Sequence, residues 1–278
     1  MQQVTVRVPA STSNLGPGFD CLGIALRIYN SITIVRGGKD SFPRIVDEAA
    51  RQFFKRSGVK SFPFGYSIAE EVPRARGLGS SATVRLGVLH ALNRLARDPL
   101  DRSSLFHLCI QLEGHPDNAA PASFGGFTVA QGQNVQQFDV SARLYFVLLI
   151  PALEIETAEA RRILPSRVAR RGAIESCVNA CAITAAFASH DYRSLRGSFV
   201  DHLHQPFRKK LIPFLPRVIA AAENAGALGA FLSGSGSTIA AVTLRSPDKI
   251  AEAMLQASKL SNSRVLTTTV DNRGARVL

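Results

Sequence analysis

Val72-Pro73-Arg74-Ala75-Arg76-Gly77-Leu78-Gly79-Ser80-Ser81-Ala82-Thr83 places two close glycines and two serines ahead of an apolar-periodic run. Val84, Val88, Leu92 and Leu95 follow near one face at spacings of four and three, which predicts a long helix from Ser80, ended by Pro99. Glycines let the backbone turn tightly and approach a ligand closely. The serines then open a helix, whose free N–H groups and dipole favour an anion. The segment thus reads as a phosphate cradle, with Ser80 or Ser81 able to reach a metal ion. It is not the common P-loop, because no Gly-Lys-Ser/Thr follows the turn. Gly77, Gly79 and Ala82 also match the dinucleotide spacing, but Pro-Arg-Ala-Arg precedes them instead of a buried strand. A plain Gly/Ser helix cap is the third reading.

Outward from this run, strands are expected at 4–8, 31–36, 66–69, 145–150, 230–232, 239–243 and 264–270 by alternation and β-branching. Helices are expected at 47–56, 103–112, 175–188, 217–225 and 249–259. This alternation favours a layered fold of mixed helix and strand, with a boundary near Pro151 between two lobes, 1–150 and 151–278. Two further glycine-rich places stand out. Ser233-Gly234-Ser235-Gly236-Ser237-Thr238 lies between two apolar strands and reads as an anion nest or a tight hairpin. Ser11-Thr12-Ser13-Asn14-Leu15-Gly16-Pro17-Gly18-Phe19-Asp20 directly follows the first strand and gathers hydroxyls, an amide and a carboxylate.

Composition narrows the class. The 278 residues are 46% hydrophobic and 19% charged, ordinary for a globular chain and unlike a disordered one. The longest apolar runs fall well short of the ~20 residues a membrane helix needs. Net charge is +12, yet the basic residues form short scattered clusters and there is no Trp. Nucleic acid is therefore a weaker expectation than an anionic small molecule. Four cysteines without a CxxC pair indicate free thiols in a reducing cytoplasm. Cys177 and Cys181, four apart on an expected helix, read as buried small residues in preference to metal ligands.

The three glycine-rich segments, in this order, resemble the motifs of the GHMP small-molecule kinases. Pro73-x-x-x-Gly77-Leu78-Gly79-Ser80-Ser81-Ala82 resembles that superfamily's ATP-binding motif. Within it, homoserine kinases are indicated by 8–20, by Glu113-Gly114-His115-Pro116-Asp117-Asn118, by 157–165 and by Arg208-x-x-Leu211-Ile212-Pro213. The resemblance implies an α+β fold, the GHMP kinase fold. Its N-terminal lobe is like the second domain of ribosomal protein S5 and its C-terminal lobe is ferredoxin-like, with ATP between them. It implies transfer of phosphate from ATP to L-homoserine with Mg2+, giving O-phospho-L-homoserine on the route to threonine, in a cytoplasmic protein that is often a homodimer.

The same resemblance implies roles. Residues Pro73, Arg74, Ala75, Arg76, Gly77, Leu78, Gly79, Ser80, Ser81, Ala82 and Thr83 belong to the ATP loop, with the turn of Gly234, Ser235 and Gly236 either closing over the phosphates or supporting the homoserine pocket. Arg161 and Arg208 clamp the substrate carboxylate, where bidentate geometry favours Arg. Asp20 takes the ammonium, and Asn14, His115 and Thr157 orient the other polar atoms. Asn118 stands where related kinases have a catalytic Asp and cannot act as a base. Neighbouring Asp117 is read either as a catalytic helper or as part of a turn cap, and direct attack by the substrate hydroxyl, without a strong base, is the expected mechanism. Ser80, Ser81, Gln111 and Glu113 are the metal candidates. Gln111 departs from the family, since many relatives carry a Mg2+-binding Glu there and an amide is the poorer ligand. The short stretch between Arg36 and Phe64 leaves less wall expected on the adenine side. Another GHMP kinase, a non-catalytic regulator kept in view by Gln111, and an RNA-binding protein are the competing readings.

Overall fold

The computed structural model describes residues 2–38 and 41–278. The chain opens with two long antiparallel strands, β1 (Gln3–Ser13) and β2 (Leu22–Arg36). Val6 and Val8 of β1 are fully buried, as their alternation requires. The elements α1 (Arg44–Ser57), β3 (Phe64–Glu70), α2 (Ser80–Leu95), α3 (Arg102–Glu113) and α4 (Ala119–Phe124) follow. β4 (Phe127–Gln131) and β5 (Asn134–Phe138) then complete the first lobe's hairpin. The sheet runs β5-β4-β2-β1, and β3 pairs the far half of β2. Helices α1 to α3 cover one face, burying Phe53, Leu89, Leu92 and Phe106 in one cluster.

The second lobe starts at β6 (Tyr145–Pro151). It continues through α5 (Thr157–Arg162), α6 (Arg170–Ala188), α7 (Gln205–Arg208) and α8 (Leu215–Asn224). Then come β7 (Gly229–Leu232), β8 (Ile239–Thr243), α9 (Pro247–Ser258) and β9 (Ser263–Thr268). Its antiparallel sheet has the order β7-β8-β6-β9. With helices between the first and second and between the third and fourth strands, this is the ferredoxin-like arrangement. Helices α8 and α9 close one face, burying Val218, Ile250 and Met254 against Val147, Leu149 and Ala241.

A third cluster joins the lobes. Leu22, Ile24 and Phe127 from the first sheet meet Phe146, Leu148 and Phe231 from the second, with Phe187 stacked on Phe127 at 4.3 Å. The chain crosses between lobes twice. It passes from β5 to β6 and returns after β9, where Val270 bridges Leu26 and β10 (Arg276–Val277) pairs β1. The sheets therefore divide the chain otherwise than at residue 150. β6 already belongs to the second lobe, because its apolar run is buried among β8 and β9, and residues 276–277 belong to the first. Cys177 and Cys181 are exposed on α6, not buried as expected, because that helix packs with its Ser176–Ile183–Phe187 side. Among the described residues no helix is long and apolar enough to cross a membrane.

Candidate active site

The three glycine-rich segments converge on one cleft of about 520 Å³ between the lobes. Backbone bonds knit them together: Ser11 N–H donates to Leu78 O at 3.1 Å, and Gly234 N–H to Ser13 O at 3.2 Å. The Ser233 hydroxyl contacts both Thr12 Oγ1 at 2.8 Å and Gly77 O at 2.6 Å. Gly77 (φ 71°) and Gly79 (φ 67°) are both left-handed. A Cβ on Gly77 would lie 2.1 Å from Ser233 O, and one on Gly79 would lie 2.1 Å from Ser11 Oγ. Only glycine fits either place.

Helix α2 starts at this turn with no side chain capping it, so its first N–H groups are left for a ligand in the cleft. Ser80 and Ser81 line the same mouth. Beside them Pro43, Ile45, Tyr66 and Val84 form an apolar wall. The short stretch before Phe64 thus still supplies one side of the cleft, although residues 39 and 40 of it lie outside the described residues. Arg74 is turned outward by its pair with Glu70, and Arg76 is tied to Pro151 O at 2.9 Å.

Ser81 Oγ donates to Glu113 Oε2 at 2.8 Å, and the other Glu113 oxygen pairs with Arg85. A hydroxyl and a carboxylate side by side at a phosphate cradle fit Mg2+, which keeps much of its shell for phosphate and water. Gln111 is not part of this. Two residues back along α3, it is rotated away and lines a separate surface recess with Arg56 and His107. The departure seen in the sequence therefore does not touch the cleft, where Glu113 is the carboxylate beside Ser81. Among the described residues no three His, Cys, Asp or Glu side chains form a preassembled metal cage.

The opposite end of the cleft is charged. Arg161, from α5, holds Asp20 with two bonds of 3.0 and 2.6 Å. Arg208 is only 2% exposed and donates to Gly234 O at 2.9 Å and Ala160 O at 3.2 Å. Burial, and then the Arg161 charge, lower its pKa to about 10, so it stays a cation. Both guanidinium groups lie over the Phe19 ring, at 5.5 and 5.3 Å. Phe19 stacks in turn on His204, whose burial keeps it neutral. His204 donates from Nε2 to Gly16 O at 2.8 Å, so its Nδ1 accepts from Arg208 at 3.2 Å. Asn14 bridges the two ends, donating to Gly234 O at 3.1 Å and accepting from Asp20 N–H at 3.0 Å. Thr157, the first residue of α5, lines the cleft nearby.

Between the two ends stands Asn118. Its Oδ1 accepts from Ser11 Oγ at 2.9 Å, and its Nδ2 donates to Ser13 Oγ at 3.0 Å. Asp117 is buried and bonded to His115 Nδ1 at 2.8 Å and to Asn118 N–H at 3.1 Å. Burial pushes the Asp117 carboxyl upward, but His115, Ser13 and Arg161 together hold it below its ordinary value. The bond from Asp117 raises His115 in return. Cys21 is pushed up to about 11 by burial and by the Asp117 and Asp20 charges, so its thiol stays protonated.

Most expected residues come together here: Asn14, Asp20, His115, Asp117, Asn118, Thr157, Arg161, Arg208, Glu113, Gly234, Ser235 and the loop from Arg74 to Ser81. Some do not. Ala82 is in the core under α2, and Thr83 is buried against Asn30 at 2.8 Å. Gly236 faces Ile212 and Leu232, and Pro73 stands outside the lining. These four support the loops and line no part of the cleft. Sequence reasoning passed over Pro43, Ile45, Tyr66 and His204. None of them lies in a glycine-rich segment, and His204 meets Gly16 only through the fold.

The chain matches the family models for the GHMP kinase N-terminal domain over residues 44–126 and the GHMP kinase C-terminal domain over 183–259. It is 35% identical to a homoserine kinase of Halothermothrix orenii, covering 97% of this chain and 94% of that one. It is 37% identical to one of Microchaete diplosiphon, covering 100% and 98%. The crystal structure of a homoserine kinase from Cytophaga hutchinsonii superposes with a TM-score of 0.91 at 28% identity, covering 100% of this chain and 98% of that one. With its two motif-bearing lobes, its glycine cradle and relatives of this identity over nearly its full length, the chain belongs to the homoserine kinase family of GHMP kinases.

Proposed function

We infer that this chain transfers the γ-phosphoryl group of ATP to the side-chain hydroxyl of L-homoserine, a step on the route to threonine. One observation carries the reading: an uncapped helix start fit for phosphates and a charged pocket fit for an amino acid share one cleft, with Asn118 between them. The triphosphate rests on the Gly77–Ser81 turn, with Gly234 and Ser235 opposite and adenine against Pro43, Ile45 and Tyr66. Arg161 and Arg208 take the homoserine carboxylate, and Asp20 takes the ammonium. Asn14, His115 and Thr157 orient the chain of the amino acid. Ser81 and Glu113 would hold Mg2+, which offsets charge on the phosphates.

Asn118 has no proton-accepting power, and buried Asp117 has its Oδ1 engaged by His115 and by the Asn118 N–H. The substrate hydroxyl therefore attacks without a strong protein base. Its oxygen bonds to the γ-phosphorus, the bond to the ADP oxygen breaks, and its proton passes to a phosphoryl oxygen. Positioning and charge then carry the rate. The protein works in the cytoplasm. It pairs as a homodimer through the exposed α6 stripe of Ile174, Cys177, Val178 and Cys181, whose apolar side chains recur at helical spacing.

The test is ADP release from purified protein with ATP and Mg2+, with and without L-homoserine and with related alcohols as controls. Release that depends on homoserine is expected. Equal release without it, or preference for another alcohol, would overturn the reading. Sedimentation at micromolar concentration checks the dimer, and a charge placed at Val178 is expected to yield monomers.

A further inference from the structure

We propose that Ser11 and Ser13 are positioning residues that fix the orientation of the Asn118 amide by gripping it from both ends. The proposal rests on the reading of Asn118 as the group beside the reacting hydroxyl. Both serines lie on β1 two residues apart, and both are fully buried. Residues two apart on a strand share a face, so the pair forms a fork. The fork grips Asn118 at both ends, at 2.9 and 3.0 Å.

The fork sets the direction of the amide. Ser13 Oγ accepts from Nδ2, which leaves Oδ1 facing Ser11, whose hydroxyl donates to it. The Asn118 backbone N–H donates to Asp117 Oδ1 at 3.1 Å, which fixes the base of the same side chain. One Nδ2 hydrogen remains for the cleft, which Asn118 lines. There it donates to oxygen and cannot be replaced by an acceptor. Gly79 closes the fork from the phosphate side. Its missing Cβ would lie 2.1 Å from Ser11 Oγ and 3.1 Å from Asn118 Oδ1, so the anion loop and the amide are set by the same contact. A rigid amide of this kind aids transfer by geometry and not by ground-state affinity.

The experiment is steady-state kinetics of Ser11→Ala, Ser13→Ala and Asn118→Ala, and of each serine change combined with Asn118→Ala, with nucleotide binding measured separately. Each serine change is expected to lower kcat by roughly ten- to hundredfold with both KM values held. In the Asn118→Ala background the same change should do nothing further, within about twofold. A serine variant with wild-type kcat, or an equal loss in both backgrounds, would overturn the fork's role. Should an alanine also disturb folding, that loss appears in both backgrounds and the comparison still decides. If Asn118→Ala itself keeps wild-type kcat, the underlying reading of Asn118 fails instead, a distinct result.

Discussion

The two ends of the cleft are built from different materials. The phosphate end is backbone: left-handed glycines, the start of α2, and peptide bonds knitting three loops. The amino-acid end is charge: Asp20, Arg161 and Arg208 over one aromatic ring, already bonded to each other or to carbonyl groups. Peptide geometry cannot rearrange without moving the strand and helix it joins, so the phosphate end meets its ligand preformed. The Asp20–Arg161 pair, about one-third exposed on each side, is instead free to exchange partners when a zwitterion enters. On the proposed reading, the substrate supplies a carboxylate for the Arg and an ammonium for the Asp. A ligand carrying only one of these charges leaves one partner unsatisfied, which costs affinity.

The largest effect should come from the backbone end. Gly77→Ala forces a Cβ to within 2.1 Å of Ser233 O at positive φ, so the loop must shift. Turnover should fall by about a hundredfold or more with a raised KM for ATP, checked by steady-state kinetics. Next comes Arg161→Lys, which keeps the charge and loses the two-bond geometry. It should raise the KM for homoserine by about tenfold and leave that for ATP alone. A reversed pattern, with the Lys variant losing ATP, would break the proposed division of labour.

A third effect concerns the join between the ends. His204 is buried neutral between Gly16 and Arg208. Its folded-state pKa is depressed below the ordinary 6.5 by burial, so below that pH the unfolded chain binds the extra proton first. Stability is thus fully present above pH 6.5 and lost on acidification, by at most ~1.4 kcal/mol per pH unit for one group. Melting curves from pH 7.5 to 5 should show a slope that His204→Gln reduces. The smallest effect is Gln111→Glu. It should change kcat by less than about twofold, because the side chain faces a recess away from the Ser81–Glu113 pair. A large gain would place the metal elsewhere.

The same contrast explains what was legible in the sequence. The long helix from Ser80 and the glycine turn before it were readable, because periodicity and glycine chemistry act locally. So was most of the second lobe, whose strands are buried apolar runs. The hairpin Phe127–Phe138 and the short α4 were missed, since Gln-rich, half-exposed strands alternate weakly and a six-residue helix has too few turns for a period. Gln111, a metal candidate by its place along α3, lies in a separate recess. Spacing along α3 cannot say which carboxylate faces α2 until both helices are placed. Cys177 and Cys181 misled for a similar reason, as a small-residue helix shows no face by composition. His204 and the apolar wall of Pro43, Ile45 and Tyr66 depend on residues far apart in the chain, beyond what any local pattern encodes.

The double passage of the chain between lobes has a mechanical consequence. A single linker lets one body swing, tilt and twist freely against another. Here the strands leaving Phe138 and Thr268 give two separate attachment points, the second pinned by Val270 against Leu26 and by the Asp271 N–H bonded to Ala25 O. Two attachment points define a line, as two hinges define the axis of a door. The lobes are also fastened elsewhere, by the Phe127–Phe187 stack and by the Gly234 N–H bond to Ser13 O. A door fastened away from its hinges does not swing, so the phosphate end and the amino-acid end stay aligned.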